Sequence, residues 1–181
     1  MLSWIARIIF HAIGWKLEGR YPSEIKKKIL IVAPHTSSID FPIGFLVKIW
    51  LKIKAKFYAK EELFRGIVGW FLRRVGGRPV DRSKNNNLVS QAVADFKELD
   101  ELTILITPEG TRKKVDSFKT GFYYIALKAG VPIIPIAFDY GMKVVRIFPT
   151  YYVKGEGQKE IEHIRNLFKG IKGKKPDQGI L

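Results

Sequence analysis

The chain has 181 residues, of which 46% are hydrophobic and 27% charged, so it can bury a sizeable core in one domain and is not a disordered chain. It has no cysteine, and its histidines, His11, His35 and His163, are far apart, so the sequence predicts neither disulfides, cysteine nucleophiles nor a metal site. The 32 lysines and arginines against 17 acidic residues give a net charge of +15, which favours polyanionic partners: nucleic acid, an anionic membrane or a phosphorylated substrate.

The first segment, residues 1–15, predicts an amphipathic helix. Ser3, Arg7 and His11 recur every four residues and form one narrow polar stripe on an otherwise apolar helix. Two interpretations stay open: the helix lies in a membrane interface, or it packs on its own domain. No segment has the roughly 18 to 20 apolar residues that span a bilayer. The start also lacks the features of a cleaved secretory signal, so we expect it to be retained.

Short aliphatic runs alternate with helical stretches along the rest of the chain. The predicted strands are 28–33, 56–59, 103–107, 133–138 and, more weakly, 144–148, and the predicted helices are 43–53, 61–75, 87–99, 120–128 and 160–169. This alternation predicts an α/β domain with a mostly parallel central sheet flanked by helices. We place the main domain at 16–171, after the helix at 1–15 and before a basic flexible tail at 172–181. Ligands bind such sheets at the carboxyl ends of the strands.

His35 follows the first of these strands, and Asp40 stands near the start of the next helix. A carboxylate at this spacing can fold back and accept a hydrogen bond from one imidazole nitrogen, which leaves the other nitrogen as a general base. The alternative is a loop histidine with an aspartate that caps the helix. Ser37 and Ser38 are so close to His35 that capping suits them better than nucleophilic attack. We therefore expect the substrate's own hydroxyl to be the nucleophile.

A second polar loop, residues 108–114, follows the strand at 103–107. Gly110 would let the backbone approach a ligand closely, and the guanidinium of Arg112 suits phosphate oxygens. Two roles stay open for Glu109: it could orient Arg112 or accept a hydrogen bond from a substrate hydroxyl. The alternative for the whole loop is a polar surface loop.

Residues 78–82 predict a third, basic turn, in which Asp81 could neutralise Arg78 or Arg82. If these three loops converge at one edge of the sheet, they form a phosphate pocket beside a base. That combination indicates transfer chemistry on a phosphorylated substrate.

Four sequence blocks, in order, resemble the 1-acylglycerol-3-phosphate acyltransferase family, the glycerolipid acyltransferases with a His-x4-Asp motif. The blocks are His35 to Asp40 with Ser37 between them, Val80-Asp81-Arg82 after Gly77, Pro108 to Arg112 with Phe118, Lys119 and Gly121 downstream, and Val131 to Ile136. Together they span more than half of the chain.

The resemblance implies transfer of a fatty acyl group from an acyl-CoA or acyl carrier protein thioester to the free hydroxyl of 1-acylglycerol 3-phosphate, giving phosphatidic acid. It implies that His35 is the base and Asp40 its partner, that Arg82 and Arg112 bind the phosphate, and that Glu109 binds the glycerol region. The same resemblance adds Gly110 and Thr111 to the binding loop and Ser37 and Lys119 as supporting residues, and it implies no cofactor beyond the thioester co-substrate. The basic residue Arg78 is a further candidate for a supporting role. It also implies an anionic membrane surface as a partner, no nucleic acid, and a peripheral or monotopic place on the cytoplasmic face of the membrane.

Two departures from the family pattern bear on the acceptor. Pro34 stands where many members have asparagine, and Arg78-Pro79 replaces a more usual apolar pair. Glycerol 3-phosphate, a lyso-ornithine lipid or another lysolipid therefore stays open as the acceptor. Two other classes of function are a basic nucleic-acid-binding module, favoured by charge alone, and a membrane adaptor without catalysis, which would not need His35, Asp40 and Glu109 together.

Overall fold

The protein, seen in a computed structural model, is described for residues 2–80 and 87–178. The elements in chain order are α1 (Leu2–Ala12), β1 (Lys16–Glu18), β2 (Lys27–Ala33), α2 (Asp40–Trp50), β3 (Ala55–Lys60), a 3-10 turn (Glu61–Phe64), α3 (Gly66–Arg74), β4 (Gly77–Val80), α4 (Asn87–Glu98), β5 (Leu102–Ile106), α5 (Gly121–Ala129), β6 (Ile133–Asp139), β7 (Val144–Ile147) and α6 (Gln158–Asn166).

Within these residues the strands form a seven-stranded sheet in the order β1-β7-β6-β2-β5-β3-β4. Every neighbouring pair is parallel except β6 and β7, which run antiparallel. The prediction of an α/β domain with a mostly parallel sheet is confirmed. Since β2, β5, β3, β4 and β6 run in the same direction, their carboxyl ends lie at one edge, and the loops that follow them meet there.

The sheet is buried on both faces, which explains the continuous apolar run in β2. Ile29 and Ile31 point into a layer with Phe96, Phe122 and Ile164 of the helices α4, α5 and α6. The alternate residues of β2, Leu30 and Val32, point to the opposite face. There they pack with Phe10 of α1 and with Ile43 and Val47 of α2.

The prediction of a basic turn at 78–82 is wrong for the first half of that segment. Arg78 and Pro79 belong to strand β4, which pairs with β3 at the edge of the sheet, while Asp81 and Arg82 lie outside the described residues. A proline is tolerated on an edge strand because one side of that strand needs no ladder hydrogen bonds. A four-residue strand that contains proline carries little of the alternation that predicts strands from sequence.

Two predicted helices also have different bounds. The stretch 61–75 is divided into the 3-10 turn and α3, because Arg65 is extended and Gly66 has a φ of 57°. The N-terminal helix ends at Ala12 rather than at residue 15. Gly14 turns the chain with a φ of 83°, and Trp15 enters the core beside Phe10. The short strand β1, which follows directly, was not predicted.

Candidate active site

The His35–Asp40 pair lies in the loop between β2 and α2. The Nδ1 atom of His35 is 2.9 Å from Oδ2 of Asp40. The same carboxylate oxygen accepts hydrogen bonds from the backbone N–H groups of Thr36 and Ser37, each at 3.0 Å. The aspartate thus folds back across the loop in the way its spacing from His35 predicts. The catalytic roles of the two residues stay predictions.

Asp40 is held as an anion although its side chain is buried. Burial alone would raise its pKa, but the hydrogen bonds from His35, Ser37 and Tyr140 outweigh burial and lower the pKa below its usual value. The Tyr140 hydroxyl donates to Oδ1 of Asp40 at 2.7 Å. A stable carboxylate on Nδ1 selects the imidazole tautomer whose Nε2 carries the free lone pair. The His35 side chain is 28% exposed, so that nitrogen is accessible to a substrate.

Glu109 links the second polar loop to the first. Its side chain is 1% exposed, and Oε2 accepts a hydrogen bond from the backbone N–H of His35 at 2.7 Å. Burial raises its pKa to about 7, against the opposing effects of the His35 backbone and imidazole. Among the described residues its Oε1 atom has no hydrogen-bond partner. The sequence left open whether Glu109 orients Arg112 or meets substrate; the contact seen here is with the backbone of His35.

The loop after β5 also contains the glycine and arginine singled out from sequence. Gly110 has a φ of 66°, and a Cβ atom there would lie 2.8 to 3.0 Å from the side chain of Lys119, so only glycine lets this lysine lie along the loop. The backbone N–H of Lys119 donates to the Pro108 carbonyl at 2.8 Å. Arg112 donates through Nη1 to the Ser38 hydroxyl at 2.6 Å. The two loops are therefore joined by both Glu109 and Arg112.

Three further predicted site residues, Ser37, Thr111 and Arg78, form hydrogen bonds with other residues of the protein. The Ser37 hydroxyl accepts a hydrogen bond from the Ile39 N–H at 3.2 Å, and the Thr111 hydroxyl accepts one from the Lys113 N–H at 3.3 Å. A separate pairing holds Arg78, whose Nη1 atom donates at 3.0 Å to Asp95 on α4. Arg82 lies outside the described residues.

A cavity of about 1310 Å³ opens beside these loops. His35, Asp40 and Glu109 line its polar part, together with the cations Lys114 and Lys119. Apolar side chains continue it between the sheet and α2; they include Leu30, Val32, Phe45, Val47, Ile53 and Phe138. The cavity thus joins a polar, basic region to an apolar branch.

Lys48 of α2 lines the apolar branch of this cavity. Its ammonium group donates to the carbonyls of Ala55 and Val75, and burial lowers its pKa. Since Lys48 stands eight residues after Asp40 on one helix, the two are separated by about 12 Å along the helix axis.

Sequence reasoning missed Tyr140 and the contacts of the last residues. Tyr140 directly follows β6, which lies beside β2, so its position at the end of a predicted strand was the available signal. Residues 172–178, in the segment predicted to be a flexible tail, lie against the His35 loop: the Lys175 N–H donates to the Thr36 hydroxyl at 3.1 Å.

Comparison with known proteins identifies the family of the chain. The family model described as Acyltransferase matches residues 15–139. The chain is 31% identical over 143 residues to the 1-acyl-sn-glycerol-3-phosphate acyltransferase of Haemophilus influenzae, covering 74% of this chain and 57% of that protein. It is 28% identical over 147 residues to the human 1-acyl-sn-glycerol-3-phosphate acyltransferase beta, covering 77% of this chain and 52% of that protein. The chain thus spans little more than half the length of these two relatives.

The fold is similar to a crystal structure of the 1-acyl-sn-glycerophosphate acyltransferase PlsC from Thermotoga maritima. The TM-score is 0.63 at 23% sequence identity, and the match covers 92% of this chain and 74% of that one. The match to the family model extends from the end of α1 through β6 and so includes His35, Asp40, Glu109 and Arg112. The chain belongs to the acyltransferase family.

Proposed function

We propose that this protein transfers a fatty acyl group from an acyl-CoA or acyl carrier protein thioester to the free hydroxyl of 1-acylglycerol 3-phosphate, giving phosphatidic acid. One observation supports this most: the His35–Asp40 pair shares a cavity with basic side chains and with an apolar branch. Transfer of an acyl group from a thioester to the hydroxyl of a phosphorylated lipid needs a base, a binding site for the phosphate and room for a hydrocarbon chain.

The proposed step is direct transfer without an acyl-enzyme. Nε2 of His35 takes the proton of the acceptor hydroxyl as that oxygen attacks the thioester carbonyl, and Asp40 stabilises the imidazolium that forms. The carbon–sulfur bond then breaks, and the imidazolium returns the proton to the leaving thiolate. The products are the ester and a free thiol. Ser38 takes no part as a nucleophile, since its hydroxyl accepts a hydrogen bond from Arg112.

Lys114, Lys119 and Arg112 supply the positive charge for the acceptor phosphate, together with Arg82 as implied by the family. Glu109 fits this assignment because its pKa of about 7 leaves about half of the carboxyl groups uncharged at neutral pH and most of them uncharged below it. An uncharged carboxyl beside a phosphate avoids the repulsion that a carboxylate would add, and it can donate a hydrogen bond to the acceptor.

The apolar branch along α2 suits the acyl chain of the donor. It begins beside His35 and Asp40, where the thioester carbonyl must lie, and it contains Lys48 about 12 Å further along the helix. Gly44 lies between them, and a Cβ atom there would be 3.2 Å from the ring of Phe138. Gly44 therefore keeps this branch open.

Helix α1 is proposed to contact the membrane with its apolar face. Its polar stripe lies at the border with the domain: the Ser3 hydroxyl donates to the Trp50 carbonyl at 2.7 Å, and Arg7, although exposed, lies 5.7 Å from the centre of the Trp50 ring. The apolar side is left exposed, with Leu2 at 74% and Trp4 at 67%. This orientation favours burial in a lipid interface over packing on the domain. In residues 2–80 and 87–178, no helix has the length and apolar character to cross a bilayer.

The test is incubation of the protein with lysophosphatidic acid and a mixture of acyl-CoA and acyl carrier protein donors, followed by mass spectrometry of the lipids. Phosphatidic acid and free thiol should appear together with the wild type and be lost with His35→Ala. Parallel reactions with glycerol 3-phosphate and a lyso-ornithine lipid test the other acceptors. Thiol release without any acylated lipid, or acylation of a different acceptor alone, would contradict the proposal.

A further inference from the structure

We infer that residues 172–178 form a strap that positions the His35–Asp40 loop for catalysis and acts through Tyr140 and Thr36. The inference rests on the proposed function for its effect on turnover. Its structural part concerns the hydrogen bond between His35 and Asp40 and can be tested without any substrate.

The first contact runs through Tyr140. Its backbone N–H donates to the Lys172 carbonyl at 2.8 Å, while its hydroxyl donates to Oδ1 of Asp40 at 2.7 Å. The ring packs edge-on against Trp15, with 4.9 Å between ring centres, and the Lys174 ammonium lies 5.8 Å from its centre. The position of the phenol is thus fixed by the strap on one side and by the core on the other.

The second contact runs through Thr36, the residue after His35. Its buried hydroxyl accepts a hydrogen bond from the Lys175 N–H at 3.1 Å, and its own N–H donates to Asp40 at 3.0 Å. With its side-chain amide oriented to donate, Gln178 bonds the carbonyls of Arg112 at 2.8 Å and Thr36 at 3.3 Å. The strap therefore ties the His35 loop to the loop that carries Glu109 and Arg112.

Gly173 shows how closely the strap lies on the loop. A Cβ atom at this position would be 2.6 Å from Oγ1 and 2.7 Å from Cγ2 of Thr36. Gly173 does not have the left-handed conformation seen at other glycines, so this contact is what opposes a side chain. A methyl group here would push the strap away from Thr36 or displace Thr36 itself.

Tyr140 and the strap are positioning residues, since they reach His35 through Asp40 and Thr36. General-base catalysis needs the imidazole held to a fraction of an ångström, and small displacements cost about 10²-fold in rate. Loosening the strap should therefore lower kcat. It should leave the affinity for the acceptor nearly unchanged, because that affinity depends on the side chains of Lys114, Lys119 and Arg112, and the contact of Gln178 with that loop is to the backbone carbonyl of Arg112.

The variants that test this are Tyr140→Phe, which removes one hydroxyl, and Gly173→Ala, which adds one methyl group. We expect each to lower kcat about 10- to 100-fold while the KM for lysophosphatidic acid stays within about twofold of the wild type. Lys169→Ala is the control, because this lysine is exposed just before the strap. An unchanged kcat in both variants, or a raised KM with an unchanged kcat, would overturn the inference.

Nuclear magnetic resonance of the imidazole protons gives the second readout. A proton on Nδ1 of His35 held by Asp40 is slow to exchange and should be visible in the wild type and in Lys169→Ala. It should be weakened or lost in Tyr140→Phe and Gly173→Ala. If the wild type shows this resonance and the variants lose it while no acyl transfer occurs, the strap is supported and the proposed function fails. A resonance that persists in both variants overturns the strap.

A double variant checks that Gly173 acts through Thr36. Thr36→Ala removes the two atoms closest to a Cβ at residue 173, Oγ1 and Cγ2, and leaves the Cβ of residue 36 at 3.2 Å, so Gly173→Ala should cost much less in the Thr36→Ala background than in the wild type. Independent, additive losses would contradict the contact. Circular dichroism and thermal unfolding identify a variant that fails to fold. If Gly173→Ala does not fold, the kcat and the imidazole resonance of Tyr140→Phe, which lacks one hydroxyl, test the inference.

Discussion

The chemistry of the site depends on which nitrogen of His35 carries the proton. Asp40 accepts from Nδ1 at 2.9 Å and is kept anionic by three further donors, the N–H groups of Thr36 and Ser37 and the hydroxyl of Tyr140. An aspartate so well satisfied does not take the proton itself. In the proposed step it fixes the tautomer and compensates the positive charge that develops on the ring.

His35→Ala and Asp40→Asn should therefore reduce turnover to a similar degree. Loss of the base should remove the roughly 10²- to 10⁴-fold that general-base catalysis contributes, and the asparagine should cost about as much because its amide group can hold the wrong tautomer. Initial rates with lysophosphatidic acid and one acyl-CoA measure this. His163→Ala, a substitution of an exposed histidine on α6, is the control and should keep full activity. An active Asp40→Asn enzyme would show that the tautomer is set elsewhere.

The raised pKa of Glu109 makes stability depend on pH. Between its usual value of 4.5 and about 7, the folded protein keeps a proton that the unfolded chain has released. Stability is therefore greatest below this window and falls as the pH rises through it, by an amount on the order of 3 kcal/mol. Glu109→Gln should show a smaller loss of unfolding free energy between pH 5 and pH 8 than the wild type.

Urea unfolding at the two pH values measures this difference. Glu98→Gln at the exposed end of α4 is the matched control and should behave as the wild type does. An identical pH dependence in Glu109→Gln and wild type would show that the carboxyl is ionised at little cost. The lowered pKa values of Asp40 and Glu160 act in a more acidic range and do not mask the effect.

Among the helices, α2 connects the chemistry to the apolar branch of the cavity. Its first residue is Asp40, and within three turns it presents Gly44, Val47 and Lys48 to the cavity. A side chain at residue 44 would meet the Phe138 ring and narrow the passage. Because these residues lie on one helix, the distance between the proposed position of the reacting carbonyl and the proposed space for the acyl chain is fixed.

Gly44→Val should therefore change donor preference. We expect kcat/KM for long-chain acyl-CoA to fall by at least about tenfold relative to short-chain acyl-CoA, because only the long chain must pass residue 44. Competition between donors of different length in one reaction measures the ratio directly. The short-chain donor is the internal control for folding and for the base. Equal losses for all chain lengths would show that the acyl chain lies elsewhere.

The elements that sequence predicted well are those with the strongest periodicity. Strands β2, β5 and β6 are continuous aliphatic runs, and the polar residues directly after β2 and β5 were correctly expected at one edge of the sheet. Strands β1 and β4 were missed because they are three and four residues long and lie at the two edges, where pairing rather than burial defines them.

The parts of the site that sequence did not reveal depend on long-range contacts. The bond from Tyr140 to Asp40 joins residues 100 positions apart, and that from Lys175 to Thr36 joins residues 139 apart. The lysines and glycine of residues 172–175 have the composition of a solvated tail. No local sequence feature shows that this segment packs against the His35 loop. The hydrogen bond between Glu109 and the His35 backbone was missed for a similar reason, since a backbone N–H carries no sequence signal.

The molecule as a whole carries a charge of +15 and presents its N-terminal helix with the apolar side outward. A second apolar surface lies on α3, where Ile67, Val68 and Trp70 are exposed. In the proposed contact with the membrane, positive charge would attract the protein to anionic lipid over about a Debye length, and the apolar side chains would retain it there. Binding should thus weaken with salt and should not be abolished by it.

Trp4→Glu and Ile8→Glu should reduce co-sedimentation with vesicles of anionic phospholipid by about tenfold or more, since a charge on the apolar face must be dehydrated on insertion. Tyr152→Glu, an equally exposed position that follows β7, is the control. Activity towards short-chain substrates below their critical micelle concentration should be kept in all three variants. Unchanged vesicle binding by both helix variants would place the lipid contact on another surface.

The exposed apolar residues of α1 also affect how the isolated protein behaves. Ser3, Arg7 and His11 lie beside Trp50, and the exposed residues Leu2, Trp4, Ile5, Ile8 and Ile9 form a surface without charge that would keep two molecules apart. In detergent-free buffer, copies of the protein should associate through these apolar surfaces and should dissociate when lipid is added. A large apparent size in gel filtration would then result from the absence of lipid and would not indicate a defined oligomer.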